Sequence, residues 1–260
     1  MDILLFRVEI SPVEFRKENQ ILICIVEILY QMQQGATGPY LCLADDDKNY
    51  VLKRQRAGFE GCIKEWLFGK LGRSMGLPIP NCELVYVDSS LLEYNDKYQF
   101  EIGEGMAFGS EHIPDLQEVN FKQLQNFSEN QLQDLYIFDY WIRNADRNLT
   151  ELSGNPNLFY KQSTLEVIVL DHNLACDQDF QIEDHQNLHV SSKFWPSQID
   201  YVLQQNYENK IRQAMQNWGD LVATIPDDWK DGVTNFNGLI SEIKLVLDEY
   251  KNQQFWEGLE

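Results

Sequence analysis

The sequence predicts an α+β fold of two lobes, the first rich in β-strands and the second mainly helical. Short apolar and β-branched runs separated by turn residues fill much of residues 1–110, as in a meander of short strands. Apolar residues at helical spacing dominate residues 111–260, which indicates packed helices. We therefore place one lobe on each side of the boundary near residue 110.

The N-terminal lobe is predicted to be a strand meander that contains one helix. The predicted strands cover residues 21–26, 40–43, 50–53, 82–87 and 98–102. Residues 59–74 carry apolar side chains at helical spacing. Gly76, Pro78 and Pro80 then predict the end of that helix. Three glycines mark a predicted loop over residues 103–115.

The C-terminal lobe is predicted to be helical with one inserted strand. Residues 130–144 form the clearest helix, since Phe138 and Trp141 lie on the same apolar side. Residues 166–170 are mostly apolar and β-branched, which is typical of a strand. The chain from about residue 195 is rich in polar residues and is predicted to be helical.

Composition argues for a packed protein and against two kinds of partner. Hydrophobic residues make up 43% of the chain and aromatic residues 12%, as in ordinary globular domains. Acidic residues number 41 against 21 basic residues, so the formal net charge is −20. Nucleic acids and anionic membranes attract basic surfaces. We therefore expect no nucleic acid and no membrane as a partner.

The cysteines and the apolar runs predict a cytoplasmic location. The five cysteines are scattered singly, without a CxxC pair, as in proteins of reducing compartments. The N-terminus has an acidic Asp2 and only four consecutive apolar residues, unlike a signal peptide. The longest apolar stretch, around residues 21–30, contains Glu27 and is too short to span a bilayer.

Lys53 and Glu65 are the first pair of candidate site residues. Lys53 lies in a predicted strand, from which an ammonium group can reach a ligand phosphate. Glu65 lies twelve residues later on a helix face lined by Gly61, Gly69 and Gly72. Such a face indicates the close approach of another segment, and a carboxylate there is suited to an ion pair with the lysine. A surface lysine and a solvated glutamate are the alternatives.

Three acidic or amide residues of the C-terminal lobe are the other candidates. Asp146 follows the clearest helix, where a loop carboxylate can accept a hydroxyl proton. An asparagine further along residues 147–160 and Asp171, which ends a predicted strand, offer the oxygen atoms that Mg²⁺ prefers. Turn formation is the alternative for all three. We interpret the neighbouring His172 as a positioning or packing residue.

Taken in chain order, these residue types are those that a phosphoryl-transfer site requires. A lysine contacts nucleotide phosphates, a glutamate orients it, one aspartate accepts the proton, and an asparagine and a second aspartate hold the metal. Gly35, Ala36, Thr37 and Gly38 precede the lysine strand. Their backbone amides can face phosphates, which predicts a phosphate loop for ATP.

The sequence resembles the HipA-like kinases, a bacterial branch of the protein-kinase-like superfamily. The resemblance rests on residues 144–147, 154–158 and 170–175, and also on residues 50–53 and 76–80 and the helix with Glu65. It implies a two-lobed protein-kinase-like fold and ATP- and Mg²⁺-dependent transfer of the γ-phosphate to Ser or Thr of a protein substrate. Some members are toxins, which implies an antitoxin-type partner.

The resemblance also assigns roles to individual residues. It implies that Asp146 is the catalytic base, that Lys53 contacts the ATP phosphates, and that Asn157 and Asp171 bind Mg²⁺. Toxin members place the metal-binding asparagine five residues after the catalytic aspartate, where this chain has Glu151. The alternatives to Asn157 are therefore Asn148 and Asn155. Some members phosphorylate their own glycine-rich loop, a role that falls by position on Thr37.

Two other functions fit the same residues. A small-molecule kinase of similar fold would have a closed, acidic acceptor cleft beside Asp146, whereas a protein kinase would have an open one. A nucleotide-binding pseudokinase or interaction module would bind ATP without turnover.

Overall fold

A closed five-stranded barrel forms the N-terminal part of the protein. The computed structural model describes residues 22–33 and 38–260. The barrel strands are β1 (Ile23–Gln31), β2 (Tyr40–Ala44), β3 (Asn49–Lys53), β4 (Cys82–Val87) and β5 (Gly105–Glu111). Their order is β1-β2-β3-β5-β4, and a parallel pairing of β4 with β1 closes the barrel. Cys42, Tyr50, Leu52, Val85 and Ala107 fill its interior.

Two helices connect the barrel strands. Helix α1 (Phe59–Ser74) joins β3 to β4 and has the predicted bounds. Helix α2 (Asp96–Glu101) lies between β4 and β5, so the strand predicted over residues 98–102 is wrong. The Asn95 side chain caps α2 by accepting hydrogen bonds from the next turn, and such capping begins a helix regardless of the apolar alternation that follows.

Strand β5 occupies most of the loop predicted over residues 103–115, which is a second correction. Gly109 serves the barrel rather than a turn, whereas Gly103, with a positive φ of 69°, follows the end of α2. A Cβ atom on Gly109 would lie 3.0 Å from Val85 and 3.2 Å from Tyr50, both of which fill the interior. Glycine thus lets these two large side chains approach the strand.

The C-terminal part contains a long helix and two small sheets. Helix α3 covers Glu129–Trp141, slightly shorter than predicted. A three-stranded sheet has the order β10-β9-β6, with β6 (Leu116–Glu118), β9 (Leu158–Lys161) and β10 (Val167–Val169). Strands β7 (Asn148–Leu149) and β8 (Gly154–Asn155) form a hairpin. Strand β10 lies within the predicted residues 166–170, but the other four strands show that the prediction of a single inserted strand is wrong.

Six further helices surround α3, which confirms the helical character of the C-terminal part. They are α4 (Ile182–Leu188), α5 (Tyr201–Ala214), α6 (Trp218–Ala223), α7 (Asp227–Asp231), α8 (Phe236–Asp248) and α9 (Gln253–Glu257). Trp141 of α3 is fully buried and donates its indole N–H to the Leu247 carbonyl of α8. In the part of the chain that the structure describes, no helix is long and apolar enough to cross a membrane.

Two of the three glycines on the predicted face of α1 are packed closely, whereas a Cβ on Gly61 would make only an ordinary contact with Asn173 at 3.7 Å. A Cβ on Gly69 would lie 3.1 Å from the Cys82 thiol at the start of β4. A Cβ on Gly72 would collide with Ile79 and meet the Phe138 ring of α3. The segment after α1 also reaches the small sheet, because the Val169 N–H donates to the Pro78 carbonyl at 3.0 Å. These contacts fix α1 against both parts of the fold.

Candidate active site

Lys53, Glu65 and Asp171 form one cluster at the junction of β3, α1 and β10. The Lys53 ammonium contacts Glu65 Oε1 and lies 3.2 Å from Asp171 Oδ2. Side chains alternate along β3, so Tyr50 and Leu52 enter the barrel while Lys53 faces the cluster. The Lys53 and Asp171 side chains are 10% and 24% exposed. A ligand can therefore reach the cluster.

Electrostatics keeps Lys53 and Glu65 charged. Burial opposes the Lys53 charge, but the Glu65 and Asp171 carboxylates outweigh burial and raise the pKa of the ammonium. Burial also opposes the Glu65 charge, yet Lys53 and His172 hold the pKa of Glu65 well below its usual range. Burial and the Glu65 carboxylate raise the pKa of Asp171 against the influence of Lys53. Two carboxylates thus share the Lys53 ammonium.

His172 supports Glu65 from the side opposite Lys53. Its backbone N–H donates to Glu65 Oε2 at 3.1 Å. The buried imidazole packs edge-on against the Phe138 ring, with centroids 5.8 Å apart. This environment is that of a packing and positioning residue, as the sequence predicted.

The Asp146 carboxylate lies in the loop after α3, beside the β7–β8 hairpin. Its Oδ2 atom accepts hydrogen bonds from the amides of Asn155 and Asn157, both at 2.9 Å. Asn148 does not join them, because its side-chain oxygen accepts the Asn155 backbone N–H within the hairpin. Asp146 is half-buried and Asn155 is exposed, so the carboxylate faces an accessible surface.

Arg147 connects the Asp146 loop to the Lys53 cluster. Its guanidinium donates to the backbone carbonyls of Asn157, Leu170 and Asp171, at 3.0 Å for Leu170 and 3.1 Å for Asp171. Both Asn157 and Asp171 adopt positive φ angles, of 42° and 64°, a conformation that costs energy outside glycine. The arginine bonds stabilise these turns and hold the two candidate metal ligands in one frame.

Asp139 in turn holds Arg147. Its Oδ2 accepts from Arg147 Nε at 2.7 Å and contacts His189 Nε2 at 2.9 Å, while its Oδ1 accepts from Asn144 at 2.9 Å. Burial opposes the carboxylate charge, but Arg147, His189 and Asn144 lower the pKa of Asp139. Sequence reasoning missed this group. Its signal was a single carboxylate within the aromatic run of α3.

The structure brings together five of the predicted residues, Lys53, Glu65, Asp146, Asn157 and Asp171. Gly35, Ala36 and Thr37 lie outside the described residues. Gly38 has a positive φ of 54°, and its carbonyl accepts a hydrogen bond from Gln31 at 3.0 Å. Within residues 22–33 and 38–260, no group of three or more His, Cys, Asp or Glu side chains is arranged to hold a metal. Chemically, the site offers an ammonium for phosphates, a carboxylate for a proton and oxygen donors for a cation.

The chain is similar to known proteins in sequence and in fold. The HipA-like kinase family matches residues 25–259. The Helicobacter pylori proinflammatory kinase CtkA has a similar structure, with a TM-score of 0.56 and 11% identity, over 90% of this chain and 95% of that chain. The Golgi casein kinase with Mn/ADP bound gives a TM-score of 0.44 and 12% identity, over 89% of this chain and 73% of that chain. No curated protein sequence matches the chain.

The likeness to CtkA confirms the predicted two-lobed kinase-like fold, with a β-rich N-terminal part and a helical C-terminal part. The family match covers almost all of the residues that the structure describes and confirms the predicted resemblance. The chain belongs to the HipA-like kinase family.

Proposed function

We propose that this kinase transfers the γ-phosphate of ATP, in a Mg²⁺-dependent reaction, to a Ser or Thr hydroxyl of a protein. One observation carries the proposal. The Lys53 ammonium is held between the Glu65 and Asp171 carboxylates, and its side chain remains partly accessible. A charged, oriented lysine beside a partly exposed carboxylate is what a nucleoside triphosphate and its metal require. We place the nucleotide in the cleft between lobes 1–110 and 111–260.

The donor set supports a divalent cation at Asp171. Two carboxylates, Glu65 and Asp171, contact the same ammonium, which leaves an excess of negative charge. A cation would offset this excess, and the Asp171 carboxylate and the Asn157 amide oxygen are the hard donors that Mg²⁺ prefers. When bound, Mg²⁺ neutralises charge on the nucleotide phosphates. Asn157 is favoured over Asn148, whose oxygen is used in the hairpin, and over the exposed Asn155.

Lys53 and Asp146 would have separate functions, phosphate binding and proton acceptance. Lys53 would bind the nucleotide phosphates, and Glu65 would orient the ammonium. Asp146 would accept the proton of the acceptor hydroxyl as the new O–P bond forms and the bond to the ADP leaving group breaks. Asn155 holds the Asp146 oxygen Oδ2, which leaves Oδ1 to face the acceptor. The loop with Gly35, Ala36, Thr37 and Gly38 would supply backbone amides to the phosphates.

An open surface beside Asp146 supports a polypeptide acceptor rather than a small molecule. The β7–β8 hairpin next to Asp146 is exposed from Glu151 to Asn155, and the Leu152 side chain at its tip is 95% exposed. A cleft that encloses a small substrate would bury such a segment. An extended chain can instead pass beside the hairpin to reach the carboxylate.

Calorimetric titration with ATP, with and without Mg²⁺, tests the nucleotide and metal assignments. We expect Mg²⁺-dependent binding that is lost in Asp171→Asn. Asp134→Asn is the matched control, because Asp134 is a partly buried aspartate that pairs with Lys210 at 2.6 Å and not with a residue of the Lys53 cluster. Absence of binding by the wild type, or unchanged binding by Asp171→Asn, would contradict the proposal.

Turnover by Asp146→Asn tests the proton acceptor. The amide keeps the shape but cannot take the proton, so we expect the rate of phosphoryl transfer to fall about 100-fold or more while ATP binding is retained. ATP binding without any turnover in the wild type would instead identify a pseudokinase.

The toxin role, an antitoxin-type partner and self-phosphorylation of Thr37 rest on membership of the family. Expression of the wild type and of Asp146→Asn in a bacterial host tests the first. Growth arrest by the wild type alone would support it, and equal growth would contradict it. The intact mass of the wild type after incubation with Mg-ATP, compared with that of Thr37→Ala, tests self-phosphorylation.

The five free thiols support a cytoplasmic location.

A further inference from the structure

Residues 224–232, which we call the clamp, pack against the elements that carry Lys53 and Glu65. Asp228 of the clamp accepts a hydrogen bond from Arg54 Nη2 at 3.0 Å and one from the Met106 N–H at 3.2 Å. Arg54 directly follows Lys53 and is almost fully buried. Among the residues that the structure describes, Asp228 is its only carboxylate partner. The clamp therefore neutralises a buried charge one residue from the phosphate-binding lysine.

Trp229 reinforces the same contact. Its side chain is fully buried, and its indole N–H donates to the Met106 carbonyl of β5 at 2.7 Å. Arg54 Nε donates to the same carbonyl at 2.9 Å, and Arg54 Nη1 donates to the Ile102 carbonyl at 2.9 Å. The arginine, the tryptophan and strand β5 thus form one bonded unit.

The clamp also contacts helix α1 on both sides of Glu65. Trp66, the residue after Glu65, donates its indole N–H to Thr224 Oγ1 at 2.9 Å. Gly232 lies directly against the Phe59 ring at the start of α1, where any Cβ atom would collide with the ring. The contacts with the clamp therefore bracket the stretch of α1 that positions the glutamate.

We propose that the clamp sets the position of α1 and of the end of β3, so that Arg54, Asp228 and Trp229 are positioning residues for the Lys53–Glu65 pair. Arg54 directly follows Lys53, and Trp66 directly follows Glu65, so a shift of either residue moves the backbone of its neighbour. The clamp, which comes from residues 224–232, contacts both Arg54 and Trp66. The consequence for phosphoryl transfer rests on the function proposed above.

Labelling of Cys62 measures the position of α1 without any need for activity. Cys62 lies on α1, is fully buried and contacts the Lys53 and Arg54 carbonyls through its thiol. We expect Asp228→Asn to speed its alkylation about tenfold, which is the effect of losing one charge-assisted hydrogen bond. Peptide mass mapping would distinguish Cys62 from the other four cysteines, and hydrogen exchange over residues 59–74 should rise with it.

Glu249→Gln is the matched control. Glu249 is 37% exposed and pairs with Arg143 at 2.5 Å, while Asp228 is 36% exposed and pairs with Arg54 at 3.0 Å. The control removes a carboxylate of similar exposure that forms no ion pair with α1, although its arginine partner is 36% exposed whereas Arg54 is 7% exposed. Labelling of Cys62 at the wild-type rate in Asp228→Asn, or equal acceleration in the control, would overturn the proposal.

Kinetics provides the second readout, measured well below the unfolding temperature of each variant. We expect Asp228→Asn to lower kcat/KM for ATP about tenfold, while the control retains the wild-type value. A merely structural role would lower the folded fraction and leave KM unchanged. Trp229→Phe removes the hydrogen bond to Met106 and part of the buried ring but leaves the Arg54–Asp228 pair in place, so it serves as the second variant if Asp228→Asn does not fold. If the wild type has no kinase activity, the proposed function fails, and Cys62 labelling still decides the clamp.

Discussion

Two ionic clusters are joined by the hydrogen bond from Arg147 to the Asp171 carbonyl, and they are built in opposite ways. In the Asp139–Arg147 pair both side chains are 0% exposed, and the carboxylate is bonded on both oxygens. In the Lys53 cluster two carboxylates share the ammonium, and Asp171 is 24% exposed. The closed, balanced cluster is a structural frame. The open, unbalanced cluster has charge to offer to a ligand.

The largest expected effect comes from breaking the closed cluster. Asp139→Asn leaves the Arg147 charge buried without its partner, which should lower the free energy of unfolding by about 3–5 kcal/mol. Urea denaturation followed by circular dichroism measures this change. Asp134→Asn, which removes a more exposed pair, should cost about 1 kcal/mol or less. Similar values for the two variants would contradict the distinction between the clusters.

The second largest effect is expected from acid, which should lower the free energy of unfolding through the buried histidines beside the closed cluster. Burial lowers the pKa of His185 and of His189, so the folded protein keeps both neutral where the unfolded chain binds protons. Below about pH 6.5 the unfolded state therefore binds more protons than the folded state. The free energy of unfolding then decreases by about 1.4 kcal/mol for each histidine per unit decrease in pH.

His185→Phe sharpens this test, because it removes one of the two histidines. Urea denaturation at several values between about pH 7 and pH 5 should show a slope reduced by about 1.4 kcal/mol per pH unit. An unchanged slope would show that His185 does not contribute to acid sensitivity.

The smallest effect is expected in the open cluster, with the opposite sign. Burial and Glu65 raise the pKa of Asp171, so its charge is unfavourable in the folded protein at neutral pH. Asp171→Asn removes that charge and should raise the free energy of unfolding by about 1 kcal/mol in the absence of nucleotide. Thermal unfolding without ligand measures the gain. A loss of several kcal/mol would mean that the open cluster is also a structural frame.

The parts of the fold that local patterns determine were predicted from the sequence. The bounds of α1 follow from apolar spacing and a glycine–proline stop, and the structure has the same residues, Phe59–Ser74. The Lys53–Glu65 pair could be predicted for the same reason, since only twelve residues separate its two members. Residues 98–102 alternate like a strand, but Tyr98 and Ile102 also lie one helical turn apart, and the cap at Asn95 decided the outcome.

The parts that depend on distant partners were not predictable from local pattern. Arg54 meets Asp228 across 174 residues, and Asp139 meets His189 across 50. No regular spacing in the sequence indicates that the two members of either pair are in contact. A buried charge signals only that a partner exists, and the fold alone supplies its identity.

The bonds of Arg147 have a consequence for how this site can change over evolutionary time. The arginine contacts main-chain oxygens at residues 157, 170 and 171, and every amino acid carries that oxygen. The bonds themselves therefore do not depend on the side chains at those positions, although the positive φ at residues 157 and 171 favours glycine, asparagine and aspartate there. A lineage can exchange the proposed metal ligands there and keep the Arg147 bonds that hold these turns. A descendant with the same turns and without the proposed ligands would be a ready starting point for a new binding protein.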